Sequence, residues 1–362
     1  MDALAHELIA IAGSPSALAD PRVIAPNFKR RLSGVTSTIV RLVPLQAREI
    51  AIRATGPGLP DHVPHLSLGQ VAALPRRVSR VWHARRNVEM LGGLALKNLL
   101  FHRRLRLVFT SASQRQHTGL TKWLIARMDA VVATSGRSAA YLDRPATVIR
   151  HGIDTEAFAP ATDRAELRAR LDLPTDATLV GCFGRIRRSK GTDVFVTAMT
   201  ELLPRHEGVV ALVMGRATEK DRAYAEGLRR EVRDAGLEDR IRFLPEVPTH
   251  AVAQFHAALD LHVAPQRWEG FGLTPLEAMG SGVPVVATRV GAFEEIVVPG
   301  ETGELVSPDD VFALGRAIED CLSDPGRLAA MGRAARKHVA RNFTLLGEAQ
   351  ALNRLYLDLL ER

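Results

Sequence analysis

The chain has 362 residues, 46% hydrophobic and 24% charged, the balance of a globular protein of roughly two domains, which excludes disorder and fibrous repeats. Its two cysteines, Cys182 and Cys321, stand outside any CxxC or HxxxH spacing, which argues against a disulfide framework or structural zinc and points to a reducing, cytosolic compartment. The net charge of +8 joins a basic first 150 residues (22 Lys and Arg against 8 Asp and Glu, +14) to an acidic remainder (26 against 32, −6). That asymmetry suits an anionic partner for the first half, whether nucleic acid, an acidic membrane leaflet or a phosphorylated acceptor. An arginine-rich base-composition bias would produce the same excess.

The N-terminal MDALAHELIAIAGS carries Asp2 and Glu7 where a signal peptide carries positive charge, and no apolar run reaches the ~18 residues of a membrane span, so neither export nor a spanning anchor is expected. After a loosely held extension of some twenty residues, strand patterns fall at Arg22–Ala25, Glu49–Ala54, Val78–His83, Leu105–Thr110, Ala130–Thr134 and Thr147–Arg150. Helix-period stretches at Thr36–Gln46, Asn87–Leu100 and Gly119–Met128 lie between them. The second half repeats the plan, with strands at Thr178–Phe183, Val209–Met214, Arg240–Leu244, Leu261–Ala264 and Val283–Ala287. Its helices are expected at Thr192–Leu203, Lys220–Ala235, Ala251–Ala258, Pro275–Met279 and Ala292–Ile296, and a helical tail from Pro325 breaks at Asn342-Phe343-Thr344.

Alternation of this kind predicts α/β architecture: two doubly wound Rossmann-like domains, residues 1–152 and 153–343, facing across a cleft, with a final helix over 344–362. Ligands of such sheets bind at the carboxyl ends of the strands, which places the expected site in that cleft.

The densest chemistry lies in Arg267-Trp268-Glu269-Gly270-Phe271-Gly272-Leu273-Thr274-Pro275-Leu276-Glu277, between the strand Leu261–Ala264 and a helix. Pro275 suits a first helical turn, where its missing N–H is not needed. Gly270 and Gly272 let bare backbone approach a ligand, and the amides of Gly272, Leu273 and Thr274 form a phosphate cradle at the helix start. Glu269 and Glu277 flank the same anion. Carboxylates are tolerable there as acceptors from hydroxyls, so the ligand should be polyhydroxylated, one Glu reaching a sugar and the other a ribose. A tight strand–helix turn would explain Gly-x-Gly alone, but not the paired Glu.

Gly184-Arg185, followed five residues later by Lys190-Gly191, puts two cations at a strand end where a diphosphate would lie, although a basic turn fits as well; Arg187 and Arg188 read as solvent-facing. Gly34, entering a helix after the first strand, could bring backbone to the same ligand, or be a plain glycine turn. His83, Arg85, Arg86 and Asn87 cluster at another strand end and read as acceptor contacts, against the more ordinary reading of a lone His as structural. There is no Asp-x-Asp, so a metal site holding a nucleoside diphosphate is not supported and none is expected; neutralisation falls to Arg, Lys and helix N-termini. Serine-hydrolase and zinc-hydrolase signatures are also missing.

Together, Gly184-Arg185 with Lys190-Gly191, the run from Glu269 to Met279, Gly282-Val283-Pro284-Val285-Val286-Ala287-Thr288 and Gly291-Ala292-Phe293 closely resemble the retaining GT-B glycosyltransferases of family 4. The resemblance covers residues 146–362 and extends more thinly over the first half, where Trp82-His83-Ala84-Arg85-Arg86-Asn87-Val88-Glu89-Met90 and Phe109-Thr110-Ser111-Ala112-Ser113 look like bacterial lipopolysaccharide core mannosyltransferases. It implies that Arg185 and Lys190 bind the donor diphosphate and Glu277 the ribose, while Glu269 and the backbone of Gly270, Phe271, Gly272, Leu273 and Thr274 bind the sugar and distal phosphate. It also implies that the last helix crosses back to the first domain.

The implied reaction is retaining transfer of a hexose, mannose from GDP-mannose, to a lipopolysaccharide core or similar lipid-linked oligosaccharide, with the nucleotide sugar as co-substrate and no cofactor. The implied location is cytoplasmic, peripheral on the anionic inner face of the bacterial inner membrane. Two departures stand out. Where the family usually carries a histidine this chain reads Phe109-Thr110-Ser111, so that its sugar contact is either missing or falls to Thr110-Ser111, His83 or His117, and the linker usually written Pro-Asn-Gly-Val-Asp reads Arg150-His151-Gly152-Ile153-Asp154. The competing readings are a UDP- or ADP-sugar donor, a GT-B sugar-nucleotide epimerase, and a non-enzymatic basic membrane- or nucleic-acid-binding module. The scarcity of aromatics among the arginines of the first half argues against nucleic acid.

Overall fold

The computed structural model describes residues 20–30, 34–100 and 102–362. It divides into two compact units, one of residues up to Arg150 together with Leu345–Arg362, the other of His151–Thr344. The first contains β1 (Val23–Pro26), β2 (Ile52–Thr55), β3 (His65–Leu66), β4 (Arg80–Ala84), β5 (Leu105–Ser111), β6 (Ala130–Ala133) and β7 (Thr147–Val148), all parallel, in the order β3-β2-β1-β4-β5-β6-β7. The second contains β8 (Thr178–Phe183), β9 (Val209–Met214), β10 (Ile241–Leu244), β11 (Leu261–Ala264), β12 (Val285–Thr288) and β13 (Gly303–Val306), again all parallel, in the order β10-β9-β8-β11-β12-β13.

The central strands β8 and β9 read as almost unbroken apolar runs, as expected of parallel strands covered on both faces. All six residues of β9 are buried. In the first unit one core layer holds Ile39, Leu42 and Tyr356 and the other Trp82, Met90 and Leu124; in the second the layers centre on Phe183 with Phe293 and on Phe195 with Ile318. Each sheet reverses its winding once, between β1 and β4 and between β8 and β11. Loops diverge at such points and leave a crevice at the strands' carboxyl ends.

The last helix, Leu345–Glu361, packs in the first unit. Leu352, Tyr356 and Leu359 enter its core, Gln46 donates to Asn353 Oδ1 at 2.8 Å, and Asn353 donates to Glu49 at 2.8 Å. The preceding helix, Pro325–Asn342, starts where Asp324 accepts from the Arg327 amide at 3.0 Å.

Some elements differ from expectation for local reasons. The strand expected at Val283 begins at Val285, since Pro284 has no N–H to contribute to a ladder. The edge strands β3 and β13 and the helices Leu68–Ala73 and Val311–Leu322 were not in the sequence reading. The last of these is fixed by a cap, the Asp310 carboxylate accepting from the Ala313 amide at 2.8 Å. Among the described residues no helix is long and apolar enough to cross a membrane. Cys182 and Cys321 are free, buried thiols pushed up by burial to about 12 and about 11.

Candidate functional site

The two acidic residues of the motif after β11 end up in different surroundings. Glu269 is paired with Lys190, the cation from the loop after β8, and its other oxygen accepts from the Gly270 amide at 3.0 Å. The loops meet because Gly191 sits at φ +68°, where a Cβ would lie 1.8 Å from the carbonyl oxygen of Pro265. Only glycine permits that crossing.

Arg267 then clamps the same junction. Its guanidinium donates to Asp193 at 2.7 and 2.9 Å, to the Arg188 carbonyl at 2.5 Å and to Asp309. Burial would raise the Asp193 carboxyl, but hydrogen bonds from Arg267 and Tyr224 outweigh it and hold the group below its ordinary value. Nothing in the sequence around Arg267 announces this clamp, because its partners are 74 and 42 positions away.

Glu277 stands in the helix Thr274–Gly280, which has Pro275 in its first turn and no side-chain cap, so its leading amides have no intrahelical partners. The Thr274 hydroxyl is buried there with no hydrogen-bond partner among the described residues. Thr274 and Glu277 line a cavity of about 260 Å³ that also takes in Gly184, Arg185, Gly215 and the Arg216–Glu246 ion pair. It opens at the carboxyl ends of β8 and β9. Arg185 is exposed there and has no ion-pair partner among the described residues. A larger groove, about 540 Å³, lies at the opposite strand ends around Thr178, Asp260 and Pro284 and holds none of the candidate donor-binding residues. Of the two, only the smaller is lined by buried polar groups without hydrogen-bond partners among the described residues, Thr274 and His256, and that decides between them.

Gly272 is at φ +88°, where a Cβ would meet the Phe293 ring at 2.3 Å. Phe271 is a core residue, edge-on to His151 at 5.1 Å, so only its backbone is available to a ligand. Leu273 is partly buried against the same core.

The candidates in the first unit are positioned differently. His83 is fully buried, with Nδ1 2.6 Å from the Tyr356 hydroxyl and Nε2 2.6 Å from Thr110 Oγ1. Burial first, then the charge of Arg85, hold its imidazole well below 6.5 and therefore neutral. Both nitrogens are engaged, which corrects the expectation that His83 contacts an acceptor. Arg86 is likewise internal, donating to Asn27 at 3.0 Å, to Thr36 at 3.1 Å and to the fully buried Glu89 at 2.5 Å. Asn87 donates to Thr121 Oγ1 at 2.8 Å. Arg85 is half-buried and donates to the His83 carbonyl at 3.3 Å. The cluster is thus mainly a structural network around β1 and β4. His117 is half-buried, 3.3 Å from Ser111 Oγ; burial pushes it below its usual value, Asp143 opposing and Lys122 adding.

Gly34 opens the helix Gly34–Gln46. A Cβ there would meet nothing within 4 Å, so packing does not require glycine. Residues 31–33 of that motif lie outside the described residues. Among the described residues no group of three or more His, Cys, Asp or Glu is placed to hold a metal ion.

The family model for glycosyl transferases group 1 matches residues 163–338. The lipopolysaccharide core biosynthesis mannosyltransferase LpsB of Rhizobium meliloti (strain 1021) is 52% identical over 348 residues, 94% of this chain and 98% of that protein. The mannosyltransferase LpcC of Rhizobium leguminosarum bv. viciae, also named for core biosynthesis, is 52% identical over 94% of this chain and 97% of its own length. Anabaena Alr3699/HepE, solved in complex with UDP, has the same fold, with a TM-score of 0.82 at 20% identity over 93% of this chain and all of that one.

Proposed function

From the premise that this chain belongs to the group 1 glycosyl transferases, with the GT-B fold, we propose that it transfers mannose from GDP-mannose, with retention, to a lipopolysaccharide core or similar lipid-linked acceptor. The observation that carries the reading is the cavity beside β8 and β9. It combines a cation and a buried Thr274 hydroxyl that have no partners among the described residues, an uncapped helix start, and the carboxylate of Glu277. A nucleoside diphosphate satisfies all three at once: phosphate on Arg185 and the helix amides, ribose hydroxyls on Glu277. The names of the rhizobial relatives supply the sugar and the acceptor class.

As the anomeric bond breaks, charge grows on the departing diphosphate, and cations already in place stabilise it most in the transition state. Arg185 is free for this role, whereas Lys190 is held by Glu269. Phosphate arriving at Lys190 would release the Glu269 carboxylate toward sugar hydroxyls. In this reading the nucleotide sugar is co-substrate and neutralisation needs no metal. Thermal melting against GDP-, UDP- and ADP-sugars tests the donor, because a ligand of the native state alone raises its stability. Protection by GDP-mannose is expected, and protection by another donor only would replace it.

The membrane-facing part of the proposal rests on the first unit. Helices Asn87–Asn98 and Gly119–Ile125 pack together and leave Val88, Leu91, Leu120 and Trp123 exposed, with Arg127 stacked on the Trp123 ring at 3.7 Å. Apolar side chains beside cations suit an anionic leaflet on the inner face of the bacterial inner membrane. Sedimentation with anionic but not zwitterionic vesicles, reduced in Trp123→Ser, is expected. Equal sedimentation with both would remove the charge argument.

A further inference from the structure

Two imidazoles next to the cavity have no part in the reaction above. His256 and His262 are completely buried, with ring centroids 5.2 Å apart. Phe183 packs on both, at 5.1 and 5.8 Å, and Phe158 on His256 at 6.1 Å. None of the four ring nitrogens has a hydrogen-bond partner among the described residues. Phenyl rings would fill this aromatic pocket without stranding polar atoms, so packing alone does not call for histidine. The two rings differ in one respect. His256 borders the cavity, and its Nε2 lies 3.7 Å from Oε2 of Glu277.

A carboxylate only accepts, so an imidazole that serves it carries its proton on the facing nitrogen, Nε2. The separation is too long for a hydrogen bond, but the terminal torsion of a glutamate is soft and a small rotation closes it. We propose that His256 is a positioning residue for Glu277. It donates from Nε2 to one carboxylate oxygen when a nucleoside fills the cavity, and so turns the other oxygen to the ribose diol. This rests on the nucleotide reading of that cavity.

Calorimetric titration with GDP and with 2′,3′-dideoxy-GDP separates the possibilities. His256→Phe keeps the ring and loses the N–H. It is expected to weaken GDP about tenfold, to leave dideoxy-GDP unchanged, and to add nothing to the loss in Glu277→Gln when the two are combined. His256→Gln, which retains a donor, should recover part of the GDP affinity. Unchanged GDP binding in His256→Phe, or equal loss of GDP and dideoxy-GDP, would overturn the assignment by showing a bystander or a purely structural ring. Wild-type protein that bound no nucleoside diphosphate would overturn the cavity reading and the role of His256 with it. Melting curves check that each variant folds; if His256→Phe does not, His256→Leu carries the same comparison of the two ligands.

Discussion

The two units share a plan: parallel sheets, one reversal of winding, and polar side chains at the carboxyl ends of the central strands. They use those side chains differently. In the first unit Asn27, Thr36, His83, Arg86, Asn87 and Glu89 hydrogen-bond to one another or to neighbouring groups. In the second, the buried polar groups of Thr274 and His256 border one cavity without hydrogen-bond partners among the described residues, beside the exposed Arg185. A fold leaves buried polar groups unsatisfied at a cost, and such groups concentrate where a ligand will satisfy them. Composition does not report this difference, since the more cationic unit is the more self-satisfied one.

Removing a cation from each unit should therefore break different things. Arg86→Ala removes the charge partner of the fully buried Glu89, leaving it the Arg85 and Phe28 amides, and is expected to cost about 3–5 kcal/mol of stability, read as a fall in the urea midpoint. Arg185→Ala, at an exposed and unpaired side chain, should leave the midpoint where it is and slow transfer by two to three orders of magnitude, about 3–4 kcal/mol in the barrier. If Arg86→Ala folded normally and lost only activity, the network around β4 would have to be reassigned as substrate-binding. If Arg185→Ala transferred sugar at the wild-type rate, the cavity would lose its principal cation.

The same contrast explains how far the sequence could be read. Strands β8, β9 and β11 occur at the residues expected, because each is a short apolar run closed by glycine or proline. Glu269, Gly272 and Glu277 were legible because strand, turn and helix follow one another within twenty residues. His83 was misread: strand periodicity put it at the end of β4, but its partner Tyr356 is 273 positions away. Arg267 escaped for the same reason, its partners being Asp193 and Asp309. The edge strand β3 is two residues long and flanked by Pro64 and Ser67, with no β-branched run to mark it, whereas the equally short β7 lies in Thr147-Val148-Ile149.

Paired substitutions at the buried histidines test the contrast at smaller cost. His83→Phe removes both ring partners from Tyr356 and Thr110 and is expected to lose about 1–3 kcal/mol. His262→Phe strands nothing, since neither nitrogen has a hydrogen-bond partner among the described residues, and should fall within about 1 kcal/mol of wild type, on either side. Equal losses would mean that His262 has a partner after all and that orphaned groups are a poor guide to the site.

The smallest effect is one of pH. Burial holds His83 and His262 well below 6.5, with Arg85 adding at the first and His256 at the second. The folded protein therefore keeps both neutral, while the unfolded chain protonates them near 6.5. Their lowered values make the unfolded state the one that binds protons, so stability is complete above about pH 6.5 and falls as the pH drops below it. The slope is up to about 1.4 kcal/mol per pH unit for each such histidine. Asp193, held low by Arg267, acts in the same direction but only near and below its ordinary 3.8, outside this window. Urea titrations at pH 7.5, 6.5 and 5.5 should show His262→Phe and wild type close at the highest pH and separating toward the lowest, the variant declining by one proton fewer. Parallel curves would mean that His262 takes up its proton as readily in the folded protein as in the unfolded chain, against its burial between Phe183 and His256.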